Sequence, residues 1–153
     1  MLELFSSSSN IHCSEDAQTL ALRRLPKLIS GFIEGGTGRE TGVANNIAAF
    51  DRIKLQPRVL ENVEKRCTGS TFLNQSYDVP FGIAPMGMCN AIHPRADKFL
   101  AGMAKLRNMP LVLSTAASTE IEEILTLAPD RVWFQLYVLS SIKQSFSLAE
   151  RAK

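Results

Sequence analysis

Long apolar runs are missing from these 153 residues. Charges, Gly and Pro interrupt every candidate before it reaches the 18 or so residues that a bilayer span needs, so no transmembrane segment is expected and the chain reads as soluble. Cysteine is scarce as well. Cys13, Cys67 and Cys89 are an odd number with neither CxxC nor Cys/His ligand spacing, which argues against a disulfide framework and a zinc site and fits a reducing compartment. Charge of one sign is also lacking: 17 Lys+Arg against 15 Asp+Glu leave +2, without any block of about five like charges, so a nucleic acid partner is not expected. The first ten residues, MLELFSSSSN, have no basic n-region and no long apolar h-region, and Glu3, Glu15 and Asp16 argue against a transit peptide. Residues 1–16 are read as a disordered tail.

What is present is enough apolar content for one cored domain: 45% apolar residues, 21% charged and a mean hydropathy of +0.01. Residues 17–33 predict a helix, with Leu20, Leu25, Leu28, Ile29 and Phe32 returning near the 3.6 period and Pro26 beginning or kinking it. The glycine-rich EGGTGRETG over 34–42 forces a turn, after which residues 43–50 form a shorter helix. Residues 52–60 look extended, and the alternating Ile53 and Leu55 are expected to pair with residues 71–73 as a small hairpin.

From Pro80 the pattern becomes regular. FGIAP (81–85) precedes an amphipathic stretch over 94–107, LVLS (111–114) precedes 118–127, and RVWFQLYV (131–138) precedes 142–152. Short, nearly continuous apolar runs alternating with helical stretches are the mark of parallel βα units, three of them here. Ser118 is expected to cap the second helix, with Glu122 and Glu123 meeting the positive end of its dipole. In such architectures chemistry gathers where strands end. Those ends carry Pro85, Met86, Gly87 and Met88, then Ser114 and Thr115, then Gln135 and Tyr137. A Ser, a Gln and a Tyr at successive strand ends converge as hydrogen-bonding groups for a polar ring or a substrate, or else satisfy neighbouring backbone. Met86, Met88, Met103 and Met109 are expected as core packing, Trp133 as packing between sheet and helix, and Cys89 as a small buried apolar residue.

LPKLISGFIEGG (25–36), NNIAAFDRIKLQPRVL (45–60), PFGIAPMGMCNAIHP (80–94), LSTAAS (113–118), IEEI (121–124) and WFQLYV (133–138) resemble, in order, the FMN-dependent α-hydroxy acid dehydrogenases and oxidases. This family includes glycolate oxidase, lactate oxidase, lactate monooxygenase, mandelate dehydrogenase and the flavin domain of cytochrome-linked lactate dehydrogenases. The resemblance implies an α/β fold, a TIM (β/α)8 barrel preceded by helices and a small hairpin. A whole barrel takes about 250 residues, so residues 17–153 would be its N-terminal part, truncated after about three βα units.

The implied cofactor is FMN and the implied reaction is oxidation of a small 2-hydroxy acid to a 2-oxo acid. By this resemblance Pro85, Met86 and Gly87 lie against the flavin's central ring and ribityl chain, Ser114 and Gln135 hydrogen-bond its pyrimidine end, and Tyr137 meets the substrate. Two positions depart from the family: Met86 stands where Thr is commoner, and Phe32 where a tyrosine usually donates to the substrate carboxylate. Losing that charge-assisted bond would cost substrate binding about 1.5 to 3 kcal/mol. The family's base histidine, its carboxylate-clamping arginine and most of its phosphate site belong to later strands. His93 is not that base, and His12 precedes the resemblance. The chain alone is therefore expected to be inactive and to bind FMN weakly or not at all. The alternative is a non-catalytic half-barrel remnant that associates with a full-length paralogue or is an unstable truncated product. The complete family fold is expected to form a homo-oligomer, and the cytoplasm is the expected compartment, with peroxisome and mitochondrion left open.

Overall fold

Proline has no amide hydrogen and cannot sit inside a helical ladder. The helix expected over 17–33 is accordingly two: α1 (Ser14–Arg24) and α2 (Lys27–Glu34), with Pro26 as the N-cap residue of the second. A computed structural model describes residues 11–153. The end of the expected tail is helical from Ser14, with the His12 amide donating to Asp16 Oδ2 at 2.9 Å, while residues 1–10 of that tail lie outside the described residues. Gln18 Nε2 donates to Glu34 Oε1 at 2.6 Å and so ties α1 to α2. The glycine turn then does what its composition requires. Gly38 has φ 63°, and a Cβ on Gly36 would lie 2.6 Å from Val43 Cγ2. The turn leads into α3 (Thr41–Asp51). These helices belong to the first of two compact units, which divide between Glu61 and Asn62.

The second unit opens with a hairpin, β1 (Ser70–Phe72) antiparallel to β2 (Gln75–Tyr77). This corrects the expected pairing of residues 71–73 with Ile53 and Leu55, which lie in an irregular, exposed segment. The physical reason is local: Leu73 (φ 47°) and Asn74 (φ 63°) are both left-handed, the two-residue geometry that matches the twist of a hairpin. Asp78 closes the hairpin onto the chain before the next strand, its amide donating to Asn108 O at 3.0 Å and its Oδ1 accepting from Asn108 Nδ2 at 2.7 Å.

The remaining elements follow in βα order: α4 (Cys89–Ile92), α5 (Ala96–Leu106), β3 (Leu111–Ser114), α6 (Ile121–Leu127), β4 (Val132–Gln135) and α7 (Ile142–Arg151). β3 and β4 are parallel, with Leu111 opposite Val132 and Ser114 opposite Gln135. The expected strand over 81–85 is a single bridge, Ile83 to Leu111, because Pro80 and Pro85 flank it without donors. Alternation along β3 sends Leu111 and Leu113 into a core with Ala101 and Ala104 of α5 and Ile121 and Ile124 of α6. The two alanines, three residues apart, let α5 lie close to the sheet. Val112, Ser114, Trp133 and Gln135 therefore share the opposite face.

Candidate functional site

Trp133 marks the N-terminal half of that opposite face. Its ring stacks on Phe72 at 5.2 Å, its Nε1 donates to the Tyr77 hydroxyl at 3.2 Å, and that hydroxyl donates to Gln75 Oε1 at 2.6 Å. The hairpin thus packs against the sheet face that carries Ser114 and Gln135, which corrects the expectation that Trp133 packs between sheet and helix. Arg131 adds a cation over the Tyr77 ring at 5.7 Å.

At the C-terminal ends of the strands, Ser114 is 5% exposed. Its Oγ donates to Gln135 Oε1 at 3.2 Å and accepts the Ala116 amide at 3.1 Å. Because the amide oxygen of Gln135 is engaged, the NH2 remains its donating end. The structure thus brings two of the named residues, Ser114 and Gln135, into direct contact. Tyr137 lies two residues further on, past the end of β4, with 60% of its surface exposed. Phe32 lies on α2, in the other unit, and is itself exposed.

The first loop, carrying Pro85, Met86 and Gly87, is held beside the second. The Met88 amide donates to Ala116 O at 2.9 Å, and a Cβ on Gly87 would stand 3.1 Å from Ala116 Cβ. A side chain there would be tighter than ordinary contact, so the two loops would have to give by a few tenths of an ångström. Met86 and Met88 are 43% and 50% exposed, which corrects their assignment to the core; Met88 adopts a left-handed conformation (φ 54°) at the start of α4.

Behind these loops Cys89 is buried, as the sequence indicates. Burial pushes its thiol up, and the Asp97 carboxylate beside it adds to the effect, so Cys89 is a poor nucleophile. Ser118 is not a cap: α6 starts after Glu120. Its amide instead donates to Asp97 Oδ2 at 2.9 Å, and its Oγ accepts the Asn90 amide at 3.4 Å. Glu122 and Glu123 do occupy the first turn of α6.

Two residues gain a role here that the sequence does not give them. Asp97, 4% exposed, is a carboxylate on the core face of α5, in line with Leu100, Ala101 and Ala104. A charge at that phase of an amphipathic helix is the signal that could have found it, since a buried carboxylate needs partners. Thr115 is the other. Its hydroxyl donates to Gln135 O at 2.6 Å and accepts the Tyr137 amide at 2.9 Å. Among the described residues no three His, Cys, Asp or Glu side chains are grouped to hold a metal, and no helix is long and apolar enough to cross a membrane.

Comparison with known proteins agrees with this arrangement. The chain is 35% identical over 132 residues to (S)-mandelate dehydrogenase of Pseudomonas putida, covering 86% of this chain and 34% of that protein. It is 30% identical over 142 residues to L-lactate oxidase of Lysinibacillus sphaericus (strain C3-41), covering 92% of this chain and 37% of the relative. The chain thus spans a little over a third of the length of these relatives. Among solved structures, a soluble mutant of the membrane-associated (S)-mandelate dehydrogenase from Pseudomonas putida superimposes with a TM-score of 0.83 at 33% identity, over 90% of this chain and 39% of that one. A mandelate oxidase gives a TM-score of 0.83 at 30% identity, over 90% of this chain and 40% of that one. The fold is therefore α/β, part of a (β/α)8 barrel preceded by helices and a hairpin, as the sequence indicates. With residues 21–153 also matching the common pattern of the FMN-dependent dehydrogenases, the chain belongs to that FMN-using family.

Proposed function

We propose that residues 17–153 form the N-terminal part of an FMN-dependent oxidoreductase that converts a small 2-hydroxy acid to a 2-oxo acid, and that this part supplies the pocket for the polar edge of the flavin. The observation that carries the reading is the Ser114–Gln135 pair: a buried hydroxyl orients a side-chain amide so that its NH2 is left to donate at a strand end. That donor set suits the alternating acceptors and donors of a flavin pyrimidine ring. When bound, FMN supplies the two-electron acceptor for the hydroxy acid.

The residues of this chain bind and orient. Gln135 would donate to the ring edge, and a bond of that kind favours negative charge there. Ser114 holds the Gln135 amide. Tyr137, exposed beyond the strand, would offer its hydroxyl to the substrate, while Phe32, at a position where the family usually has a tyrosine, has no hydroxyl to donate. Pro85, Met86 and Gly87 would hold the central ring. A reducing, cytoplasmic setting and a homo-oligomer belong to the same reading.

Titration of the chain with FMN, followed by flavin fluorescence, tests this. The expected result is weak, saturable binding that Gln135→Leu weakens further, with no flavin reduction by lactate or mandelate. Absence of saturation up to millimolar FMN, or equal affinity in the Leu variant, would overturn it. A second reading, a half-barrel that associates with a full-length relative, draws support from Phe32 and from β4, which among the described residues pairs only with β3. Co-purification of the tagged chain with such a relative would favour it.

A further inference from the structure

Gln135 and Tyr137 project from the last residues of β4 and the segment just beyond it, where regular sheet hydrogen bonding stops. A side chain there is aimed only as well as its backbone is held. The structure shows what holds it. Thr115 follows the last residue of β3 and makes three hydrogen bonds to this segment: its amide donates to Gln135 O at 3.0 Å, its Oγ1 donates to the same oxygen at 2.6 Å, and its Oγ1 accepts the Tyr137 amide at 2.9 Å. The hydroxyl has one hydrogen to give and lone pairs to receive, and both capacities are used. Without it the Tyr137 amide would have no partner among the described residues, and the segment from Gln135 to Tyr137 would be tied to β3 only at its first residue.

We propose that Thr115 is a positioning residue whose hydroxyl clamps the end of β4 to the end of β3, and thereby fixes where the Gln135 amide and the Tyr137 ring point. Its role toward FMN rests on the reading above; the clamp itself does not. Ser114 and Thr115 divide the work between them. Ser114 orients the Gln135 side chain, whereas Thr115 orients the backbone that carries Gln135 and Tyr137. Thr also has a conformational reason to be here, because β-branching restricts χ1 and keeps the hydroxyl in place. Serine retains both hydrogen bonds with a freer rotor. Valine keeps the shape and loses both.

The test compares the full chain with Thr115→Val and Thr115→Ser by amide hydrogen exchange and by FMN titration. For Thr115→Val the Tyr137 amide should exchange at least fivefold faster while the Leu113 and Phe134 amides keep their rates, and Thr115→Ser should restore most of the protection. FMN affinity should fall at least threefold in the Val variant and recover in the Ser variant. An unchanged Tyr137 amide, or acceleration of all three amides by one common factor, would overturn the clamp. Faster exchange at Tyr137 with unaltered FMN affinity would overturn the positioning role. If the unmodified chain takes up no FMN, the flavin reading fails by itself, and the clamp then stands or falls on the exchange at Tyr137 and its rescue by serine.

Discussion

Adding one methyl group at Gly82 should cost this protein a large part of its stability, whereas the same methyl at Gly102 should add to it. A Cβ on Gly82 would lie 2.6 Å from both Pro110 Cγ and Pro110 O, about 0.8 Å inside ordinary contact. The carbonyl cannot move aside freely, because it accepts the Ile83 amide at 2.9 Å while Ile83 O accepts the Val112 amide at 2.9 Å. Relieving the clash therefore stretches both bonds of the one bridge that joins the 81–85 segment to β3. Overpacking costs about 1 to 3 kcal/mol, and two weakened hydrogen bonds cost about 1 kcal/mol each. Gly82→Ala should accordingly destabilise by about 3 to 5 kcal/mol, against a total stability on the order of 5 to 15 kcal/mol for a domain. Gly102 lies within α5 with nothing within 4 Å of its Cβ position. Alanine there should stabilise by about 0.5 to 1 kcal/mol through helix propensity and a less disordered unfolded state. Urea unfolding of the three proteins, followed by fluorescence of Trp133, the single tryptophan, and by circular dichroism, reads both effects. Coincident midpoints for Gly82→Ala and the unmodified chain would refute the argument, as would a loss of stability in Gly102→Ala.

Acid should reveal the tie between α6 and α7. Arg151 Nε and Nη2 donate to the two Glu122 carboxylate oxygens at 2.6 and 2.9 Å, and these bonds lower the Glu122 carboxyl to about 2 from an ordinary 4.5. A depressed carboxylate stabilises the fold above its unfolded value and stops doing so as pH falls from about 4.5 through about 2. Thermal unfolding across that window should decline less steeply in Glu122→Gln than in the unmodified chain, and parallel curves would count against the ion pair. The cysteines should separate by accessibility: at pH 8 an aromatic disulfide reagent should titrate exposed Cys13 and Cys67 promptly and Cys89 only after urea is added. Three equally fast thiols would contradict the burial of Cys89.

Elements whose signal is periodic and whose packing is local were readable. LVLS is β3 residue for residue, and the last helix differs from expectation by one residue at its end. The third strand is shorter than its apolar run, since Tyr137 and Val138 lie beyond the ladder with β3. The hairpin's pairing is not legible in the sequence because its turn uses Leu73 in a left-handed conformation, which a leucine seldom adopts and which no composition rule marks. The face that Trp133 takes is not legible in the sequence, because an aromatic residue in a strand reads alike on either side; only the register with Ser114 and Gln135 decides it. At the site, the Ser114–Gln135 contact follows from strand order, whereas the Thr115 and Asp97 bonds depend on loop geometry. A hydroxyl or carboxylate in a sequence does not say which amide it meets.

The contact between hairpin and sheet also sets a timetable. The two-residue turn lets β1 and β2 meet within about 1 to 10 μs, yet Tyr77, 3% exposed in the folded chain, shares a hydrogen bond with Trp133, 56 residues later. At ribosomal speeds of about 5 to 20 residues per second, the hairpin leaves the exit tunnel roughly 3 to 11 s before the tryptophan that covers it. During those seconds Phe72 and Tyr77 present an uncovered aromatic face. A nascent chain stalled before residue 133 should therefore be held by an apolar-binding chaperone at the hairpin, and one stalled late enough for β4 to have emerged should not.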